Sequence, residues 1–194
     1  MEKTLFKEEQ RFSQPWIWLI LMPSFVSVFW IFGSAFNKQL VNGEPWGDKP
    51  MSDAGLIVFS VFIVLLMIGL TFLFYKMKLE VVIKMDGIHY RYPPMIRKFR
   101  VISADSIESY ETRQYKPIRE YGGWGVKTHG SPKKRRKYGS AYNVKGKMGL
   151  QLYLKDGRKI LIGTQRKDAL TYAMKKMMAG TVSQSKTTRT IKQG

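Results

Sequence analysis

The chain has 194 residues, 33 Lys and Arg against 14 Asp and Glu, a formal net charge of +19, and no cysteine. The missing cysteines exclude a disulfide framework, thiol chemistry, Cys-type zinc sites and iron–sulfur clusters, and two histidines disfavour any other metal centre. Nearly all of the excess charge falls from Lys76 onward, which points to an anionic partner: lipid headgroups, nucleic acid or an acidic protein.

Residues 1–15 read as a polar N-terminal arm. Leu5, Phe6 and Phe12 are its large apolar side chains, and the pattern predicts at most a short helix lying at a membrane interface. Residues 16–36 and 54–75 are apolar runs without Asp, Glu, Lys, Arg or His. At about 1.5 Å per helical residue, roughly 20 such residues cross a hydrocarbon core of about 30 Å. Both are expected to be transmembrane helices. Pro15 suits the first turn of the first helix, and Pro23 predicts a kink, with Ser24 and Ser27 available to satisfy freed backbone groups. With no ionisable residue in either run, this is a packing kink rather than a substrate path. Small residues at Gly33, Ser34 and Ala35 resemble a signal-peptidase site, but the run is too long and its flank carries no net positive charge, so a retained helix is predicted.

Residues 37–53, with Gly43, Pro45, Gly47 and Pro50, read as an extracytoplasmic loop. Lys76, Lys78 and Lys84 crowd the exit of the second run, which places both termini in the cytoplasm.

From Lys76 the hydrophobic period changes to two. Leu79, Val81, Ile83 and Met85 alternate with other side chains, and Asp86-Gly87 turns into a second strand at Ile88 to Tyr92. Further strands are predicted at residues 96–102 and 106–115. Leu150, Leu152 and Leu154 then lead through Asp156-Gly157 to Ile160, Leu161 and Ile162 as another hairpin. Ala169, Leu170, Ala173, Met174, Met177 and Met178 recur at helical spacing with Thr164 as the cap, so a helix over 165–178 is expected to cover the strands. The fold class is therefore a two-helix membrane hairpin followed, over residues 76–178, by an antiparallel β-barrel or sandwich with one C-terminal amphipathic helix. Residues 179–194, rich in Thr, Ser, Lys and Gln, are expected to be a disordered tail.

Two segments stand out as candidate sites. Lys133, Lys134, Arg135, Arg136 and Lys137 form a basic run suited to anionic lipid, at about 1 kcal/mol per cation near a charged leaflet. Tyr121, Gly122, Gly123 and Trp124 read as a loop anchor. Their glycine amides resemble a phosphate nest, but the P-loop spacing is absent and a tight turn is the simpler account. Tyr138 and Tyr142 offer stacking surfaces to nucleic acid, yet no nucleic-acid-binding signature is present and a membrane tether favours lipid by proximity. Asp105, Glu108, Glu111 and Glu120 with His89 or His129 show no catalytic spacing, so no catalytic residue, cofactor or metal ligand is assigned.

The segments Arg119 to Gly125, Ala141 to Gly146, Gly149 to Leu152 and Ile162 to Arg166 resemble uncharacterised bacterial proteins with two transmembrane helices and a C-terminal PH-like (pleckstrin-homology-like) domain. The resemblance covers about Leu79 to Met178 and the hairpin before it, and implies a bacterial inner-membrane location. It implies no activity, because PH-like folds host lipid-binding, peptide-binding and structural roles. The expectation is a non-enzymatic, membrane-anchored binding or scaffolding module that contacts anionic lipid and a protein partner, the latter by strand addition at an exposed sheet edge. An accessory subunit of a membrane complex and a membrane-tethered nucleic-acid binder are the alternatives.

Overall fold

A computed structural model describes the backbone of residues 3–12, 15–128 and 137–191. The chain divides into two compact units, Ser13–Lys76 and Met1–Phe12 with Met77–Gly194.

In the first unit, helix α1 (Pro15–Phe36) begins at the proline and runs through Pro23. It passes into a π-helical turn, Asn37–Val41, where the sequence reading begins the loop, and helix α2 spans Asp53–Lys76. Both are long and apolar enough to cross a membrane. Gln39 Nε2 donates to the Met51 carbonyl and to Asp53 Oδ1, each at 2.7 Å, which clamps the connection between the helices. Phe32 and Phe59 meet edge to face at 6.1 Å, and Ala35, Leu56 and Ser60 are buried. The hydroxyls of Ser24, Ser27, Ser60 and Thr71 donate to carbonyls three or four residues back on their own helices.

The second unit is two sheets and a helix. One sheet has the order β1-β2-β3-β4, all antiparallel: β1 (Phe6–Arg11), β2 (Lys78–Ile83), β3 (Gly87–Tyr92) and β4 (Ile96–Ser103). The other has the order β5-β8-β9-β7-β6: β5 (Ile107–Gln114), β6 (Gly125–Thr128), β7 (Ser140–Asn143), β8 (Met148–Leu154) and β9 (Lys159–Gly163). Within it β7 and β9 run parallel. Between β5 and β6 stands the short helix α3 (Pro117–Tyr121).

Strand β1 corrects the expectation of an interfacial helix. Its residues alternate buried and exposed, with Phe6, Glu8 and Gln10 inside and Lys7, Glu9 and Arg11 outside. Two of the three inward side chains are polar, which hides the strand from a hydrophobic pattern. Both are tied to the other sheet and its exit: Gln10 Nε2 donates to the Gly163 carbonyl at 2.7 Å, leaving its buried Oε1 without a partner among the described residues, and Glu8 accepts from Thr164 and Gln165. In register, Arg11 faces Lys78 and Phe6 faces Ile83. The chain therefore leaves this unit and returns to it at neighbouring positions.

The core lies between the sheets, where Leu79, Val81, Ile83, Ile88, Leu150 and Leu152 are fully buried, each contributing about 1.5–3 kcal/mol by leaving water. Helix α4 (Lys167–Ile191) packs on β1, β2 and the 3₁₀ turn Ala104–Ser106, burying Leu170, Ala173, Met174 and Met177. Its axis continues to Ile191, so the expected disordered tail is helical to that point. Polar Ser, Thr and Lys do not break a helix already nucleated by a packed face. Behind β8 and β9 a second, smaller core joins Tyr115, Tyr121, Ala141 and Leu161, with Tyr138 against it.

Candidate functional site

The two-sheet unit has a junction end and a distal end. At the junction end are Arg11 and Lys78, and Gln10 and Tyr92 bond there to Gly163 and Asn143 of the other sheet. Gln114 and Met148 lie at the same end of that sheet, whereas Leu154, Lys159 and Ser140 mark the opposite end. There the Lys155 amide donates to Ser106, and the Ala104 amide to Asp86. From Lys78 to Ile83 the rise is five residues, roughly 17 Å. A cleft opens at each end.

The junction cleft, about 560 Å³, is built around α3. Pro117 starts this helix, where its missing N–H costs nothing. Glu120 Oε1 accepts the Lys116 amide at 2.7 Å, and Glu120 Oε2 accepts Arg113 Nη2 at 2.8 Å. Burial alone pushes the Glu120 carboxyl up, but Arg113 and the Lys116 amide together outweigh it and hold the group below the usual carboxylate range. Gly122, at φ +72°, closes the helix: its amide donates to Ile118 at 2.9 Å, and the Gly123 amide donates to Pro117 at 3.0 Å. The Gly125 amide goes to Asn143 Oδ1 at 2.9 Å. These three glycine amides are thus consumed inside the protein, and none is left to cradle a phosphate.

Tyr121 belongs to the small core. Its ring lies 6.0 Å from those of Tyr115 and Tyr138, its hydroxyl donates to the Tyr138 carbonyl at 3.1 Å, and burial pushes its ionisation up to about 12. Trp124 lines the junction cleft, its Nε1 donating to the Gly146 carbonyl at 3.2 Å, which fixes the indole against the turn after β7. Beside it Ile118 is 71% exposed, and Lys116, Arg119 and Lys147 line the same cleft. Among the described residues no carboxylate lies within ion-pair distance of these three cations.

The distal cleft is larger, about 960 Å³, and opens between β4 and the far ends of β6 to β9. Tyr90 and Tyr142 line it with ring centroids 4.7 Å apart, and burial raises the Tyr90 hydroxyl well above its ordinary value, so it stays protonated. Arg100, Arg158 and Lys159 supply positive charge; Asp156 offsets part of it through a 2.7 Å ion pair with Arg158. Thr128 and Gly139, which bracket the basic run, also line this cleft. Lys133, Lys134, Arg135 and Arg136 lie outside the described residues. Lys137 is exposed; its carbonyl accepts Lys159 Nζ at 3.4 Å and its own ammonium sits 5.2 Å from the centre of the Tyr138 ring. Among the described residues no three His, Asp or Glu side chains converge as a metal site requires.

Fold and clefts together define a two-sheet domain that carries an apolar helical hairpin inserted between its first two strands. No family model, no curated protein and no solved structure matches the chain. The sequence nominated Tyr121 to Trp124 but not Lys116, Ile118, Arg119 or Lys147 beside them, nor Arg100, Arg158 and Lys159 of the distal cleft. In a chain with 33 basic residues, an isolated cation carries no local signal, and only strand register gathers these into groups.

Proposed function

We propose that this chain is a membrane-anchored binding module of the bacterial inner membrane, with a PH-like domain whose junction end rests on anionic headgroups and whose distal end faces the cytoplasm. The observation that carries the reading is the pairing of β1 with β2 across the hairpin. With Arg11 beside Lys78, the chain departs and returns on one side, as two crossings require. Satisfied helix hydroxyls and exposed apolar side chains along α1 and α2 suit a hydrocarbon surround. Two sheets with a C-terminal helix are the layout that the PH-like resemblance implies.

The lipid contact then falls to Ile118, Trp124, Lys116, Arg119 and Lys147, an apolar and aromatic tip among cations at the end nearest the hairpin junction. Sequence reasoning assigned that contact to Lys133 to Lys137; the flanks of this run line the distal cleft, which favours a soluble partner for it. Nucleic acid is the weaker candidate partner, because Tyr142 is buried, packed at a tilt against Tyr90 with ring centroids 4.7 Å apart.

The chain has no cysteine, so single-cysteine labelling tests the reading directly. A fluorophore on Ile118→Cys, in the full chain reconstituted into anionic vesicles, is expected to be quenched by headgroup-attached nitroxide lipid, and one on Asp156→Cys is not. Lys116→Gln, Arg119→Gln and Lys147→Gln together should relieve the quenching. Quenching at 156 without quenching at 118 would invert the assignment and end the proposal.

A further inference from the structure

Among the described residues, the last strand of the first sheet is open along its outer edge. Strand β4 pairs with β3 on one side and is the terminal strand on the other. The Ala104 amide donates to Asp86, so alternation along the register turns the backbone groups of Ile102 and Arg100 toward β3 and those of Val101 and Ser103 outward. The Ser103 carbonyl is taken by Ser106 Oγ at 2.7 Å. What remains is the N–H and C=O of Val101 and the N–H of Ser103, facing outward beside the distal cleft, which residues 100–103 line. Natural edge strands are usually short, bent away or covered. This one is eight residues long, and every residue from Arg97 to Val101 is exposed.

Its side chains are sorted by face. Arg100 shares the parity of buried Ile102, whereas Val101 has the opposite parity and is 54% exposed; both border the distal cleft. Phe99 is also exposed, with the Arg91 guanidinium 4.6 Å from its ring centre. Arg97, Lys98 and Arg100 have no carboxylate within ion-pair distance among the described residues. A row of unpaired backbone groups, exposed apolar side chains and three uncompensated cations is complementary to one kind of ligand.

We infer that the β4 edge is a docking site for an extended acidic segment of a protein partner, added as a fifth antiparallel or parallel strand with acidic side chains toward Arg100 and apolar ones toward Val101. Backbone bonds supply affinity and the alternating pattern supplies selectivity. This names the soluble partner of the proposed module and rests on that reading only in taking the distal end to be clear of the bilayer.

The test uses the full chain in nanodiscs of zwitterionic lipid and a ten-residue peptide alternating Glu and Val. Fluorescence anisotropy should report binding, and hydrogen exchange should report added protection at the Val101 and Ser103 amides. A peptide of identical charge with N-methylated alternate amides should bind at least about tenfold more weakly, as should wild-type peptide to the Arg97→Gln, Lys98→Gln, Arg100→Gln variant. The N-methyl arm leaves the protein untouched, so a folding defect cannot imitate it. Binding without protection at Val101, equal affinity for the methylated peptide, or tighter binding of a single-stranded oligonucleotide would each overturn the inference. The lipid assignment stands or falls separately on quenching at residue 118.

Discussion

The carboxylate of Glu8 accepts the hydroxyl of Thr164 at 2.7 Å, joining residues 156 apart in sequence. Its second oxygen takes the Gln165 amide at 2.8 Å, two residues before helix α4. A buried acid from the first strand therefore occupies the electropositive entrance of the last helix.

Glu8→Ala leaves the buried Thr164 hydroxyl without its acceptor and removes the protein partner of the Gln165 amide, and should destabilise the domain by about 2 kcal/mol. Glu8→Gln keeps the acceptor geometry and should cost about half as much. Thermal melts of the full chain in detergent, followed by near-UV circular dichroism, check both. A wild-type melt for the Ala variant would mean that the tie carries no stability.

Glu80 predicts an acid-range dependence. It lies between Lys78, 2.5 Å from Oε1, and Arg91, 2.7 Å from Oε2. Burial raises its carboxyl, but the two cations outweigh this and the net direction is downward from 4.5. A carboxyl lowered in the folded state stabilises fully above its unfolded value, and that contribution fades as pH falls through the folded one. The melting temperature should therefore drop below about pH 4.5, and Glu80→Gln should show a shallower drop. Some slope survives in the variant because Glu9 and Glu120 are lowered too. At neutral pH the same substitution should cost about 2 kcal/mol. An unchanged slope would remove Glu80 from the account.

Gly122 and Gly139 share a left-handed backbone, at φ +72° and +75°, but not their surroundings. A Cβ on Gly122 meets open space, whereas one on Gly139 meets the Lys159 carbonyl. Gly122→Ala should cost only the conformational penalty, about 1 kcal/mol. Gly139→Ala must also displace the start of β9 and should cost about 3 kcal/mol or more. Denaturant midpoints of the two variants should differ in that order; equal midpoints would refute the steric argument.

Tyr121→Phe removes the bond to the Tyr138 carbonyl and should cost about 1 kcal/mol, and Tyr121→Ala opens the small core at about 3–5 kcal/mol. The measurement is again unfolding of the full chain, and a Phe variant as weak as the Ala variant would show that the hydroxyl, not the ring, holds the site.

The elements legible in the sequence were those whose information is local. Asp86-Gly87 and Asp156-Gly157 each mark a turn between alternating apolar runs, and the structure turns at both. The apolar runs and the Met-rich helix are likewise self-contained signals. Strand β1 was not legible, since Glu8 and Gln10 owe their burial to Thr164, Gln165 and Gly163, residues more than 150 positions away. Strands β6 and β7 were missed for a similar reason. Only four residues each, they take their place from Asn143 and from the parallel neighbour β9. The clefts were the least legible, because Arg100 meets Lys159, and Lys116 meets Lys147, only through strand order.

Strand β1 is the first part of the domain to leave the ribosome, and β2 follows only after both apolar helices have been made. A molecule whose hairpin crossed a bilayer once would hold these two strands in different compartments. Its first sheet would lack an edge, Leu79, Val81 and Ile83 would lose their cover, and Thr164 would wait for a carboxylate that never arrives. On the proposed reading of two crossings, completion of the first sheet would thus depend on both apolar helices returning the chain to the side it left, because β1 and β2 pair only when residues 6–11 and 78–83 share a compartment.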